Sequence, residues 1–161
     1  MDDVDWLSER EALAWRGLQL MQMRLDRELA RELAADSGLS YPDYLVLVAL
    51  TDRPDGRMRL FELGSFLGWE KSRLSHHVNR MTKRDLVTKE PCDDDRRGAF
   101  VVITTQGRAE IEAAAPGHVA SVRRLFIDHL DTRQLDQVAD ITETVLASLD
   151  LDECDPNKRA R

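Results

Sequence analysis

The chain has 161 residues, of which 42% are hydrophobic and 33% are charged, and its net charge is −7. This length and composition predict one globular domain with a real core. No apolar run approaches the ~18 residues of a membrane span, so we expect no membrane partner. An acidic N-terminus is the opposite of a secretory signal, and two cysteines form no disulfide framework, so we expect a cytoplasmic protein.

Charge is distributed unevenly along the chain. Residues 57–108 contain 11 Lys and Arg against 7 Asp and Glu, a balance of +4, whereas the remaining residues carry −11. At ordinary salt, charges more than ~8–10 Å apart are largely screened from each other. A basic face can therefore attract phosphate although the chain as a whole is acidic.

The first half of the chain predicts two helices joined by a short break. The first helix covers residues 8–36, because apolar side chains recur there at spacings of three and four. Gly38 is a plausible terminator of this helix. Ser40 is a candidate N-cap for a second helix, and Tyr44 to Leu50 is nearly all apolar, so we expect that helix to be buried.

The central segment, from Leu60 to Thr105, contains the pattern with the most information. A short strand at 57–59 precedes a third helix at 60–67, a break at Gly68 and a basic fourth helix at 70–84. Strands at 86–89 and 99–104 then enclose a polar, turn-rich hairpin. This order predicts a winged helix-turn-helix, a module that reads DNA.

Two long helices follow and complete a mainly α fold with a small β-hairpin wing. Thr105 is expected to cap the fifth helix, and Asp131 caps the sixth, with Gln134 three residues later as in a capping box. The apolar stripes of the first, fifth and sixth helices need partners. Packing against each other would cover part of that surface, and a second copy of the chain would cover more. Residues 8–150 are thus predicted to form a single domain, with a DNA-binding lobe at 40–104 and dimerisation helices at 8–36 and 105–150. The polar tail, 151–161, is expected to be disordered.

The fourth helix has the two faces that a recognition helix needs. Leu74, Val78 and Met81 form an apolar face that anchors it. The other face offers groups that bind base edges or phosphates. They are Lys71, Ser72, Arg73, Ser75, His76, Asn79 and Arg80.

The hairpin supports this interpretation. Arg96 and Arg97 lie at its polar tip and are placed to reach a neighbouring minor groove. Taken singly, an amphipathic surface helix or a solvated charge run explains each segment as well. The two together favour DNA binding.

The residues from Leu60 to Arg108 resemble the MarR family of bacterial transcription regulators. The resemblance lies in "LFELGSFLGWEKSRLSHHVNRMTKRDLV" for the helix-turn-helix and in "DDDRRGAFVVITTQGR" for the wing. The flanking helices agree in order and length, so the resemblance extends over about residues 8–150. One departure is Asp85, which stands where the family usually has a glycine.

This resemblance implies a homodimeric, ligand-responsive repressor that binds a pseudo-palindromic DNA site. The recognition-helix contacts would be made by Ser72, Arg73, Ser75, His76 and Arg80, and the wing contact by Arg96 with Arg97 beside it. The interface would be formed by the first, fifth and sixth helices. A small aromatic effector often binds in this family between the dimer helices and the DNA-binding lobe. Candidate residues for that cleft are Trp15, Leu18, Tyr44 and Trp69, although core packing also explains each of them.

Other chemistries have little support in the sequence. His76 and His77 diverge by ~100° on a helix, which disfavours a metal site, and we expect His77 to pack half-buried. Cys92 is interpreted as an inert thiol rather than a redox sensor. We see no nucleophile–base pair or phosphate-binding glycine loop, so we expect no enzyme and no cofactor. The alternative function is a winged-helix module that binds a protein partner instead of DNA.

Overall fold

The computed structural model describes residues 4–92 and 95–153, with side chains for residues 4–91 and 99–149. The chain divides into two compact units, residues 1–121 and 122–161. Across the described ranges, no helix combines the length and apolarity that a membrane span requires. The fold class predicted from the sequence, mainly helical with a small antiparallel sheet, is confirmed.

The elements follow the predicted order. The helices are α1 (Glu9–Ser37), α2 (Tyr41–Thr51), α3 (Leu60–Leu67), α4 (Lys71–Lys83), α5 (Thr105–Leu125) and α6 (Thr132–Glu153). The strands are β1 (Arg57–Arg59), β2 (Val87–Cys92) and β3 (Asp95–Ile103). A 3-10 turn, Ile127–His129, precedes α6.

Local capping sets the limits of the first two helices. Ser8 and Glu11 form a reciprocal capping box at the start of α1, and Gly38 ends this helix in the left-handed conformation with φ 70°. Ser40 caps α2 in the same reciprocal way with Asp43. The predicted helix ends at Gly38 and Ser40 are therefore confirmed.

The sheet has the order β1-β3-β2, and both pairings are antiparallel. Met58, Val101 and Val87 lie on its buried face. β2 and β3 are longer than the predicted strands at 86–89 and 99–104, because backbone pairing continues through Cys92 and Asp95 into the polar segment. The alternation of apolar residues from which the strands were predicted does not extend that far. The predicted polar connection therefore shortens: Arg96 and Arg97, expected at the hairpin tip, belong to β3, and residues 93–94 lie outside the described part of the chain.

The C-terminal boundaries also differ from the prediction. The described part of α6 runs to Glu153, three residues beyond the predicted domain end at 150, and the disordered tail stays a prediction. Residues 154–161 lie outside the described part of the chain.

The core lies in the first unit, where α2, α3 and α4 pack on the sheet. α2 is almost entirely buried, because its own side chains are apolar on nearly every face of the helix. In α1, by contrast, the buried side chains are confined to the C-terminal part, at Leu29 and Leu33. The largest fully buried side chains are Leu39, Leu47, Leu50, Leu63, Leu74, Met81, Val46, Val78, Val87 and Val101.

The start of α5 is held tightly against the segment that follows α4. Thr104, not Thr105 as predicted, supplies the cap, because its Oγ1 accepts a hydrogen bond from the Gly107 amide at 2.9 Å. A Cβ atom on Gly107 would lie 2.0 Å from the Leu86 carbonyl oxygen. Just before Leu86, Asp85 has the left-handed φ of 56°, at the position where the resembled family has glycine. Asp tolerates this conformation better than most residues.

We predict that Gly107→Ala destabilises the protein by about 2–3 kcal/mol, because the added methyl group forces the backbone apart. Gly17→Ala is the matched control, because no atom lies within 4 Å of that Cβ position. In the middle of exposed α1 it should raise stability by ~0.5–1 kcal/mol. Urea unfolding measures both. Equal free energies of unfolding for Gly107→Ala and the wild type would contradict the close packing.

Candidate nucleic-acid interface

Helix α4 separates an anchored face from an open one, as predicted. Leu74, Val78 and Met81 are almost completely buried. The predicted DNA-contacting residues Lys71, Ser72, Arg73, His76, Asn79 and Arg80 are exposed, and Ser75 is half-buried. The structure therefore presents all seven α4 candidates on the accessible part of one helix.

A buried carboxylate, that of Asp43, joins the start of α2 to α4. Only 4% of its side chain is exposed. Its Oδ2 accepts hydrogen bonds from Arg84 Nη1 at 2.7 Å and from the Ser40 amide at 3.1 Å. His77 Nε2 lies 3.0 Å from Oδ1, at ion-pair distance but without the alignment of a hydrogen bond. Asp43 thus contacts both an interior and a terminal residue of the α4 segment.

The surroundings of Asp43 favour its charged form. Burial alone would raise the pKa of this carboxyl group, but the interactions with His77, Ser40 and Arg84 outweigh burial and bring the pKa far below its ordinary value. The carboxylate therefore stays ionised in the folded protein at every pH near neutrality. Its contribution to stability is present above the pKa of the unfolded chain, ~3.9, and is lost as the pH falls toward the folded-state value.

His77 is a polar contact point rather than the half-buried packing residue that the sequence suggested. Only 5% of it is exposed, since it points under α4 toward Asp43. Arg80 Nη2 lies 2.9 Å from His77 Nδ1. A guanidinium group has no acceptor, so Arg80 donates and Nδ1 accepts. The ring is therefore neutral, with its proton on Nε2 facing Asp43.

Trp69 contacts a second arginine of α4, Arg73. The Arg73 guanidinium carbon lies 4.5 Å from the centroid of the Trp69 ring, a cation–π arrangement. The Trp69 ring meets His77 edge-on, with centroids 5.3 Å apart and an interplanar angle of 84°. Trp69 and His77 thus form one contiguous support beneath Arg73 and Arg80.

A polar contact joins β2 of the hairpin to α4. Lys89 Nζ of β2 donates a hydrogen bond to Asn79 Oδ1 at 2.7 Å. Asn79, a predicted DNA contact, is thereby linked to the sheet from which the wing extends. The backbone of Arg96 and Arg97 belongs to β3, but their side chains lie outside the described set, so their DNA contacts stay predictions.

The four candidate effector residues have different surroundings. Trp15 and Leu18 are exposed on α1. Tyr44 is buried, with its ring centroid 4.4 Å from that of His118 on α5, whereas the ring contacts of Trp69 are Arg73 and His77. Burial raises the pKa of Tyr44 and lowers that of His118. The contacts of these side chains thus do not place all four in one cluster.

The described residues contain no group of three or more His, Cys, Asp and Glu side chains placed to hold a metal ion. What the sequence interpretation missed is the polar support beneath α4, formed by Asp43, His77 and Arg84. A weak signal existed for Asp43, because a carboxylate in the first turn of an otherwise apolar, buried helix needs partners. The sequence did not indicate which residues those partners are, because Arg84 lies 41 residues further along the chain.

Comparison with known proteins agrees with this geometry. A model of the MarR family matches residues 37–98. The crystal structure of AbsC, a MarR family transcriptional regulator from Streptomyces coelicolor, superposes with a TM-score of 0.83 at 37% identity, covering 91% of this chain and 98% of that one. The chain belongs to the MarR family. The family resemblance noted in the sequence is thereby confirmed, and with it the function class of a DNA-binding transcription regulator.

Three further relatives are informative about the family. Sco3205 of S. coelicolor, a MarR family regulator solved in complex with DNA, superposes with a TM-score of 0.86 at 35% identity, covering 92% of this chain and 93% of that one. The transcriptional repressor MprA of Escherichia coli is 25% identical over 88% of this chain and 79% of MprA. The repressor YetL of Bacillus subtilis is 25% identical over 97 residues, which are 58% of its own length.

We predict that Asp43→Asn lowers the free energy of unfolding at neutral pH by about 3 kcal/mol, because it removes the buried charge that Arg84 and His77 face. Wild-type stability should fall as the pH drops below about 4, and this fall should be shallower in the variant.

Denaturant titrations at several pH values measure both effects. Asp55→Asn is the matched control, because Asp55 forms an exposed ion pair with Arg57 and its loss should change stability far less. Equal losses for the two variants would contradict the role of Asp43 as a buried anchor.

Proposed function

We propose that this protein is a transcriptional repressor that binds a pseudo-palindromic DNA site as a homodimer. The single observation that carries the proposal is the row of exposed polar and cationic side chains on α4, above a fully buried apolar face. In this arrangement α4 enters the major groove and the wing lies along the neighbouring minor groove. Two-fold symmetry then requires half-sites whose centres are about 10 base pairs apart.

The division of labour within the interface follows from side-chain chemistry. Arg73 and Arg80 carry the planar donor sets that pair with guanine edges, and Ser72, Ser75 and His76 offer shorter polar groups to bases or phosphates. Arg96, with Arg97 beside it, supplies the wing contact. Catalysis has no part in this proposal, and the place of action is the cytoplasm, where bacterial DNA lies.

A homodimer would cover apolar surface that the single chain leaves in water. Trp6, Leu13 and Met23, on or just before the N-terminal part of α1, are each more than two-thirds exposed. In the second unit, none of the described α6 side chains is buried, and Ile141, Val145 and Leu149 lie along one stripe of this helix. Contiguous exposed apolar stripes of this kind mark association surfaces.

Regulation would follow from linkage between ligand and DNA binding. A small aromatic effector could bind more tightly to a dimer whose recognition helices have the wrong spacing for DNA. It would then lower DNA affinity by the ratio of its affinities for that form and for the DNA-binding form. The candidate contacts remain Trp15, Leu18, Tyr44 and Trp69. His118 joins them as a further candidate, because its ring packs against that of Tyr44. The proposal does not require the four to line one cavity in the single chain.

The decisive test is binding of the purified protein to a labelled fragment of its own upstream DNA at two salt concentrations, with random DNA as competitor. We expect saturable binding that survives the competitor and weakens steeply with salt, because Lys and Arg displace counterions. Arg96→Ala should weaken binding to all sequences and reduce the salt slope by about 1, whereas Arg10→Ala, outside the basic segment, should do neither. A folded dimer without salt-sensitive binding would refute the proposal and favour a protein partner.

A second test concerns the dimer. Leu149→Glu should yield monomers at micromolar concentration, because it places a charge in the apolar stripe of α6. Ala147→Glu adds the same charge to the same helix, about 200° around from Leu149, and should remain dimeric. Sedimentation or light scattering distinguishes the two states. A dimer that persists in Leu149→Glu would move the interface away from this stripe.

A further inference from the structure

The support beneath the recognition helix carries an inference about specificity, which rests on the proposed DNA-binding function. Arg73 and Arg80 are seven residues apart, two turns of α4, so they project from the same side of the helix. Each is held from below by a different group, Arg73 by the face of Trp69 and Arg80 by Nδ1 of His77. Those two groups contact each other.

We propose that His77 is the positioning residue for DNA specificity: its neutral ring fixes Arg80 directly and, through Trp69, supports Arg73, relative to the buried Asp43 carboxylate. His77 itself does not reach the DNA, because it is 5% exposed on the inner side of α4. Its effect on DNA is made through the arginines that it orients.

The geometry of the contacts explains why a histidine suits this position. One ring nitrogen accepts from Arg80 at 2.9 Å, while the other faces Asp43 Oδ1 at 3.0 Å, where a proton is favoured over a lone pair. A neutral imidazole with its proton on Nε2 does both at once. Asp43 is in turn fixed by the Ser40 cap and by Arg84. His77 therefore holds Arg80 in a fixed position relative to α2.

Orientation of an arginine matters more for specificity than for affinity. A free arginine side chain has many rotamers, and its guanidinium group can bind any nearby phosphate as readily as a guanine edge. The hydrogen bond to His77 uses one donor of Arg80 and leaves the others for a base. An arginine fixed in this way loses less entropy when it pairs with the correct base, so the ratio of specific to non-specific affinity rises.

The test compares that ratio between variants. The wild-type protein first selects a preferred duplex from a random-sequence pool, and affinities are then measured for this duplex and for a scrambled one. We expect His77→Leu to lower the ratio about tenfold, and His77→Gln, whose amide both accepts and donates, to recover most of it. Combining His77→Leu with Arg80→Ala should cost little more than Arg80→Ala alone, because the two act as one unit.

The matched control is Val78→Ala, which removes buried volume from the neighbouring position of α4 without touching either arginine. It should lower stability and leave the ratio unchanged, since a merely structural loss does not distinguish the two duplexes. An unchanged ratio in folded His77→Leu would overturn the inference while leaving DNA binding intact. A wild-type protein that binds both duplexes equally would instead overturn the proposed function, and this inference with it.

A second measurement needs no variant and no DNA. Nitrogen-15 NMR of the histidine rings in the free protein reports which ring nitrogen carries the proton. We expect His77 to be neutral and protonated on Nε2. A proton on Nδ1 would overturn the inference, because that nitrogen then has no lone pair for Arg80.

Discussion

The buried contact between Asp43, His77 and Arg84 fixes how the recognition helix lies on the rest of the lobe. An ionised carboxylate in a protein interior is unfavourable unless several donors surround it. Three groups surround Asp43: the α2 cap and the residue that ends α4 donate hydrogen bonds to it, and His77 Nε2, from the interior of α4, lies 3.0 Å from its Oδ1. A rotation or slide of α4 would separate the carboxylate from two of them at once. The position of α4 is therefore discrete rather than continuously adjustable.

This polar contact complements the apolar one on the same helix. Burial of Leu74, Val78 and Met81 supplies most of the stabilisation, but hydrophobic contact has no direction and tolerates small rotations. The hydrogen bond from Arg84 to Asp43 is directional, so it helps to select one orientation from those that apolar packing allows. Specific DNA recognition needs that selection, because a bidentate contact to a base fails when the side chain is displaced by about 1 Å.

Features of the sequence that depend on near neighbours were predicted well. The helix ends at Gly38 and Ser40, the order of the elements and the two faces of α4 follow from local capping and periodicity. Errors arose where the deciding partner is distant in the chain. Thr104 is chosen over Thr105 as the α5 cap because its hydroxyl also donates to the Asp85 carbonyl, 19 residues earlier.

The candidate site shows the same division between local and distant information. Periodicity alone identified which side chains of α4 face outward. It gave no indication that His77 accepts from Arg80, since His77 occupies an inward position where an apolar residue would satisfy the pattern equally well. Only the position of Asp43, on a separate helix, makes a histidine useful there. The side chains of Arg96 and Arg97 lie outside the described set, so the wing contact still rests on the sequence.

Operator binding requires correct base contacts within each half-site and correct spacing between the two recognition helices. Different parts of the chain set these two conditions. Within each lobe, Asp43 and His77 determine how the arginines meet the bases. Between lobes, in the proposed dimer, the spacing of the two recognition helices depends on apolar stripes of α1 and α6 that the single chain leaves exposed. An effector that alters only the spacing would weaken binding to every operator by the same factor, because the base contacts within each half-site are unchanged. An effector that displaced Trp69 would act differently: it would release Arg73 from its support and change which bases are preferred, not only how tightly they are bound.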